Sequence, residues 1–587
     1  MTDYDVVVIG GGVNGLTTAA YLAKAGLSVG VFEARGQCGA HCDTVELGIP
    51  GFLHNLHATW LVPSISPAMG DLDLEGLGLE LRGTDVLYAK PFLSGRNLLQ
   101  CTDIGATAES IARVSERDYD TMMKTLGFLA ENADEMVKVN QLLNFSPPST
   151  AILDRLTTLV DNFTRNMGIP VSGEDLLAVN GFDLLELLFE SEEVRTTRAS
   201  LAWISGAPPL HRRVSTSMLW AGMVGGMPVH NAKGGSHELT HALVKAVVTN
   251  GGEIFTTCPV ERILVEDGRA KGIRLSADAL LPGEEITAKA VVSNLTLVPT
   301  FLRLLGRNVI GDDWARRISG FVYDDQVLFG VYYSLSSDPE FASAAYDPGV
   351  QRAMMGFFGG EDLDQMRRYG AELVSGVLSE QIMGNWFVPT RADPTQAPPG
   401  CHTSLLWMDV PPCLRRWGSQ QLNGFASWPE IAEPLADAIT DRYEQFAPGF
   451  KSLILERHVM TPMHQEQNNA SAVRGNQSGG SIVPEQYYLN RPLPGVIERG
   501  GSRSFVPGLY LSNSIHPAGA TWLATGYIAA CEVAEDFSCR EQPWWTTEPF
   551  QWFMEHGDRV PMNLGVGPKW LPDAAPQGAD HTEGANQ

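Results

Sequence analysis

The chain has 587 residues, a formal net charge of −26 and a pI near 4.9. Its length predicts two or more domains, and its shortage of cations argues against nucleic acid and against electrostatic adhesion to anionic lipid. Eight cysteines, at 38, 42, 101, 258, 401, 413, 531 and 539, form no C-x-x-C pair. They read as reduced, mostly structural thiols with no metal site, because the Cys38 and Cys42 neighbours lack a second pair at zinc spacing. No signal-peptide pattern precedes the first strand. The apolar stretches Phe182–Phe189 and Met218–Met227 are far shorter than the ~20 residues of a membrane span. A cytoplasmic chain is expected, compatible with a peripheral membrane contact.

The densest signal comes first. Asp5-Val6-Val7-Val8-Ile9 has a buried-strand pattern and runs into Gly10-Gly11-Gly12-Val13-Asn14-Gly15, which fits G-x-G-x-x-G. A helix follows with Leu16, Ala19, Ala20, Leu22 and Ala23 on its apolar face, then a strand, Val29–Phe32, ending in Glu33. These are the ordered parts of a βαβ dinucleotide fingerprint. Gly10 permits the tight turn, Gly12 lets backbone N–H groups approach a pyrophosphate at the helix N-terminus, and Gly15 allows helix and strand to pack closely. The Glu33 carboxylate stands where ribose hydroxyls are read.

Residues 105–225 read as largely helical. Tyr119, Met122, Met123, Leu126, Ala130, Ala133 and Val137 predict one helix over Ser115–Leu143. Ser146-Pro147-Pro148 interrupts the pattern, and another helix begins near Ser149. A helix is predicted over Ser236–Asn250, then strands over Glu253–Thr257, Val260–Val265, Lys271–Leu275 and Ala290–Asn294, with Asp267-Gly268 as a hairpin turn. Region 320–460 mixes strands such as Val327–Leu335 and Ser404–Val410 with helices and proline-rich loops. A strand, Leu509–Ser512, and a helix of small residues, Ala524–Val533, follow. The tail reads as irregular. The tripeptides that start at Asn162, Asn294, Asn469 and Asn476 match a glycosylation pattern without meaning in a cytoplasmic chain.

Four blocks carry a family resemblance: the fingerprint with its continuation Gly36-Gln37-Cys38-Gly39-Ala40-His41; Lys233–Leu239 leading to Cys258-Pro259-Val260-Glu261; Ala290–Asn294; and Gly508–Pro517 with its His516-Pro517 loop. Together they frame about residues 4–536, and the whole chain resembles the phytoene-desaturase-like branch of FAD-dependent oxidoreductases. The resemblance implies an α/β fold. A discontinuous Rossmann-like FAD-binding domain of the two-dinucleotide-binding-domain flavoprotein type (1–70, 228–300 and 500–540) is interleaved with a mixed-sheet and helical substrate domain (71–227 and 301–499), with a C-terminal tail at 541–587. It implies FAD as cofactor. Beside the fingerprint residues Gly10, Gly12, Val13, Asn14, Gly15 and Glu33, it points to Ala34, Gly39, Ala40, His41, Val260, Asn294, Asn513, His516, Pro517, Thr521 and Trp522. Two departures stand out. Ala40 replaces the second glycine of the pyrophosphate motif, which requires a negative φ there. Trp522 falls where the family has glycines and would narrow the space over the flavin.

The implied chemistry is a dehydrogenase or desaturase that removes hydride and proton from a hydrophobic terpenoid or alicyclic substrate to form a C=C bond. Oxygen or a quinone would be the electron acceptor, and no second nucleotide fingerprint for NAD(P)H is evident. A flavin amine oxidase, a redox-neutral isomerase using reduced FAD, and a non-catalytic flavoprotein remain as alternatives. No catalytic base is identified. His516, His41 and His57 are weak candidates, with His54 nearby, and a lone histidine is more often structural.

Overall fold

The computed structural model describes residues 3–204, 210–212, 229–323, 326–497, 501–517 and 523–549. The chain is α/β. Its first sheet has seven strands, with Val260–Glu266, Arg269–Leu275, Glu285–Ser293, Tyr4–Ile9, Val29–Phe32 and Glu253–Phe255 in that order, and Leu509–Leu511 added against the end of Glu285–Ser293. The centre is parallel: Val6 faces Ala290 on one side and Val29 on the other, and Val292 faces Tyr510. The central strands are buried, so they read as apolar runs rather than as alternation.

Three helices, Val13–Lys24, His237–Thr249 and Ala524–Asp536, pack over one face of this sheet. Small residues let them approach closely. A Cβ on Gly526 would lie 2.4 Å from the Asn14 carbonyl oxygen, and Thr18 Oγ1 donates to the Gly526 carbonyl at 2.9 Å. The start of the tail docks beside them. Trp545 is buried, its ring 4.9 Å from that of Tyr21, and Lys24 Nζ lies 4.6 Å over Trp544.

The second seven-stranded sheet runs Ile454–Met460, Val327–Leu335, His402–Val410, Gly384–Phe387, Met355–Phe358, Val86–Pro91 and Asn97–Cys101. One face packs on the helix Trp428–Glu444, where Phe329 stacks on Trp428 at 5.7 Å and the Tyr333 and Thr440 hydroxyls are 2.7 Å apart. The other face turns towards residues 53–57. Tyr332 OH donates to the Leu56 carbonyl, and Ser334 Oγ lies 3.3 Å from His54 Nε2.

The helical region holds Ile104–Ala112, Glu116–Glu131, Ala133–Phe145, Thr150–Met167, Gly173–Ala178, Gly181–Leu188 and Glu192–Ile204. Ser115 and Ser149 cap their helices as N-caps, accepting from Asp118 N and Ile152 N. The single helix predicted over Ser115–Leu143 is two. Asn132 breaks it: its side-chain amide donates to the Phe128 carbonyl at 2.8 Å and its φ/ψ is −118°/19°. An asparagine side chain that competes for a backbone acceptor is a known helix interrupter. Met218–Met227 lies outside the described residues. Among the described residues, no helix is long and apolar enough to cross a membrane.

Candidate functional site

The parallel strands end at a cleft of ≈ 520 Å³, a volume within the usual range of ligand pockets. Its floor is the first βα turn. Gly10 has φ +92°, the left-handed conformation that glycine adopts without penalty. A Cβ on Gly15 would lie 2.4 Å from the Gly10 carbonyl, so only glycine fits where helix meets turn. The helix Val13–Lys24 starts at Gly12 with no side-chain cap and no acidic residue in its first turn. Its first-turn backbone and positive dipole end therefore face the cleft, the arrangement that receives an anion.

Glu33 stands across from that helix end and is buried. Its Oε2 accepts from Gly11 N at 2.7 Å and its Oε1 from Arg35 N at 2.8 Å. These two bonds fix the carboxylate and leave it further lone pairs for a ligand. Asn294 closes the opposite side. Its N–H donates to the Ile9 carbonyl, its Oδ1 accepts from Ser512 Oγ at 3.2 Å, and its carbonyl accepts from Asn513 Nδ2 at 3.2 Å. The segment after Phe32, the strand ending at Ser293 and the loop after Leu511 thus meet around one turn. In an open α/β sheet, ligands bind at such a place.

The cleft brings together Gly10, Gly12, Val13, Asn14, Glu33, Ala34, Gly39, Ala40, His41, Val260, Asn294 and Asn513. Gly15 lies behind the turn. His516 and Pro517 are not among the lining residues: His516 Nε2 is 3.0 Å from the Leu143 carbonyl, and its ring lies 5.4 Å from Tyr487 and 4.8 Å from Tyr488. Burial lowers its pKa to about 3. Thr521 and Trp522 fall outside the described residues.

Ala40 is a correction. A negative φ was required of it, but φ is +51°. The chain accepts the left-handed strain of a Cβ because Gly39 (φ +125°) and Ala40 together turn the loop under the cleft, with Cys42 N bonded to the Gly39 carbonyl at 2.9 Å.

The sequence reading missed the roof of the cleft, where Gln467, Asn468, Asn469, Ser471, Asn476 and Gln477 present a row of polar side chains. Two of the tripeptides set aside as glycosylation patterns build it. Asn469 Oδ1 accepts from Ser471 N at 3.0 Å, and Asn476 Oδ1 accepts from Ser478 N and Gly480 N. An Asn-x-Ser turn of this kind is the one signal that could have marked the segment. Ser471 then joins roof to floor, because Thr296 N donates to Ser471 Oγ at 2.7 Å. Arg35 and Arg303 also line the cleft.

Histidines mark its inner side. His41 lines the cleft, 3.4 Å from Asn469 Nδ2, and its ring lies 4.7 Å from that of buried His57. Burial lowers His41 to about 4 and holds His57 well below the ordinary imidazole value, so both are neutral near pH 7. Behind them Asp43 is buried. Burial alone would raise its carboxyl, but hydrogen bonds from His237 and Arg35 outweigh this and its pKa falls below the usual carboxylate value.

A sequence profile described as an NAD(P)-binding Rossmann-like domain matches residues 8–72. Over its whole length the chain is similar to the mouse pyridine nucleotide-disulfide oxidoreductase domain-containing protein 2, 30% identical across 91% of this chain and 94% of the relative. It is 28% identical to a limonene dehydrogenase subunit of Castellaniella defragrans, across 92% of this chain and 96% of the relative. The zeta-carotene-forming phytoene desaturase of Myxococcus xanthus matches at 26%, across 51% of this chain and 55% of the relative. Among solved structures, cyclohexylamine oxidase from Brevibacterium oxydans shares the fold with a TM-score of 0.52 at 15% identity, covering 91% of this chain and all of that one (100%). A desaturase and a dehydrogenase subunit are thus similar in sequence, and an amine oxidase in fold, to a chain whose own cleft has the dinucleotide geometry. The chain belongs to the phytoene-desaturase-like family of FAD-dependent oxidoreductases.

Proposed function

We propose that the cleft holds FAD and that the protein is a dehydrogenase that forms a C=C bond in a hydrophobic, terpenoid or alicyclic substrate. The observation that carries the cofactor is the pairing of an uncapped helix N-terminus with the fixed Glu33 carboxylate across one cleft. Gly12, Val13 and Asn14 would meet the pyrophosphate, Glu33 the ribose, and Val260 with Glu261 the adenine side. When bound, FAD supplies a two-electron acceptor for hydride; the protein supplies orientation, dryness and a place for the proton.

The substrate class rests on one face of the second sheet. By register, Leu328, Tyr332, Leu405, Trp407 and Phe387 share one face of the second sheet, the face tied to residues 54–57 through Tyr332 and Ser334. These five side chains are apolar or aromatic and suited to hydrocarbon, and polar Asn385 and Asp409 share the face with them. The full-length similarity to a protein named for limonene dehydrogenation supports the same class. His41 and His57, neutral and close together, are the groups best placed to accept a proton on the inner side of the cleft.

An anaerobic visible spectrum tests the proposal. The purified protein is titrated with monocyclic terpenes, carotenoid precursors, alicyclic ketones and amines. Bleaching by a terpenoid or alicyclic compound, with an alkene product, is the expected result. Bleaching by amines alone would replace the proposal with an amine oxidase, turnover only after prior reduction would replace it with an isomerase, and a colourless protein would remove the cofactor.

A further inference from the structure

The proposed reaction leaves a proton in a buried place. One C–H bond of the substrate breaks with its electron pair going to the flavin as hydride. The neighbouring C–H bond leaves its pair behind as the new π bond and releases H⁺. That proton must reach water, and FAD and substrate would fill the cleft that otherwise offers a way out.

Four of the thirteen histidines of the chain lie in one string beside this site. His41 is in the cleft wall, and the His57 ring is 4.7 Å from it. Leu56, next to His57, donates its N–H to the Asp43 carbonyl at 3.0 Å, which brings the 43 and 57 positions side by side. Asp43 Oδ1 is 3.4 Å from His237 Nδ1. The His237 and His241 rings are 4.4 Å apart, one helical turn from each other on His237–Thr249. His241 is half exposed, with Nδ1 3.1 Å from Glu238 Oε1. The string therefore begins at the cleft, passes a buried carboxylate and ends in solvent.

Resting on the FAD-dehydrogenase reading above, we propose that His41, His57, Asp43, His237 and His241 form a proton path between the inner cleft and bulk water. Imidazole suits this role because one nitrogen can take a proton while the other gives one up. The groups around the path favour its passage outward. Neutral His41 and His57 take the proton only transiently, Arg35 and Gln37 hold the Asp43 carboxylate in place, and Glu238 Oε1 stands 3.1 Å from His241 Nδ1 at the mouth. Ring rotation or a bridging water would carry the proton over gaps longer than a hydrogen bond.

The path can be read without any substrate. Reduction of bound flavin by two electrons takes up one proton, and reduced viologen delivers electrons without protons. FAD-loaded protein is mixed rapidly with reduced viologen in weak buffer containing a pH-indicator dye, so that bleaching reports electrons and the dye reports protons. In the unaltered protein the two signals should coincide. In His241→Gln, a surface change that leaves the fold alone, and in His237→Gln, the dye signal should lag at least ~10-fold, the low end of what a positioned proton-transfer group supplies, and added imidazole should restore it. His402→Gln, away from the string, should behave like the unaltered protein. Coincident signals in both His241→Gln and His237→Gln, or a lag that imidazole does not relieve, would overturn the path while leaving the dehydrogenase proposal standing. A path that works in a protein no terpenoid bleaches would do the reverse, and a protein that retains no flavin would remove both.

Discussion

Gly12 and Asn294 are in contact across the floor of the cleft: a Cβ built on Gly12 would lie 2.7 Å from Asn294 Nδ2. The glycine is thus required by a neighbouring side chain, besides the pyrophosphate proposed to bind there. Gly12→Val should abolish flavin retention, measured as the ratio of visible to protein absorbance after purification. Gly12→Ala should lose part of it, and adding Asn294→Ala should restore some of that loss by removing the colliding amide. No recovery in the double variant would place the collision with the cofactor alone.

Glu33 serves the turn before it serves a ligand, because it accepts from two backbone N–H groups. Glu33→Ala removes the proposed ribose acceptor, worth ~1–3 kcal/mol, so FAD affinity should fall about ten- to a hundredfold by fluorescence titration. Glu33→Gln keeps an acceptor and should lose less.

Ala40 at φ +51° is strained. Ala40→Gly should stabilise the apoprotein by up to about 1 kcal/mol in chemical denaturation, with cofactor affinity unchanged or improved. Destabilisation would mean that the methyl group packs usefully.

Buried His230 has its Nε2 2.9 Å from Ser64 Oγ, and burial lowers its pKa to about 4. The unfolded chain, with an ordinary imidazole near 6.5, binds the proton more readily. Stability from keeping this ring neutral is therefore complete above about pH 6.5 and is lost progressively as pH falls towards 4. His41 and His54, also held near 4, add to the same slope. Denaturation across that window should show acid lability, and His230→Gln should reduce the slope by up to one proton.

Trp545→Ala should release the docked tail segment and destabilise the protein by about 3 kcal/mol, the range for buried aromatic truncation. Hydrogen exchange should quicken in Val13–Lys24, where Tyr21 loses one of its three ring partners.

The fingerprint was legible because its geometry is dictated residue by residue. Gly10 needs positive φ, Gly15 needs a missing Cβ, and Glu33 ends a buried strand. The outer strands of the second sheet were not. Val86–Pro91 contains Lys90, which a sequence reading takes for a surface residue. Here its Nζ is buried and donates to the Gly359 and Gly360 carbonyls. Tertiary contact decides that strand, and nothing local announces it. The roof at 467–477 was silent for the opposite reason: its side chains fold back on their own backbone, so it has no periodicity to read. His516 lies in the loop after the expected strand, its Nε2 3.0 Å from the Leu143 carbonyl in the helical region and its ring against Tyr487 and Tyr488.

The first sheet unites Tyr4–Ile9 with Glu285–Ser293 and Leu509–Leu511. A ribosome working at about 5–20 residues per second makes the first strand roughly 25–100 s before the last one emerges. During that interval the strand Glu285–Ser293 lacks its outer neighbour Leu509–Leu511, and the cleft lacks the part of its wall that Asn513 supplies. A flavin bound as proposed would therefore meet a finished cleft only on a chain that is nearly complete, so its loading would belong to release and maturation rather than to synthesis.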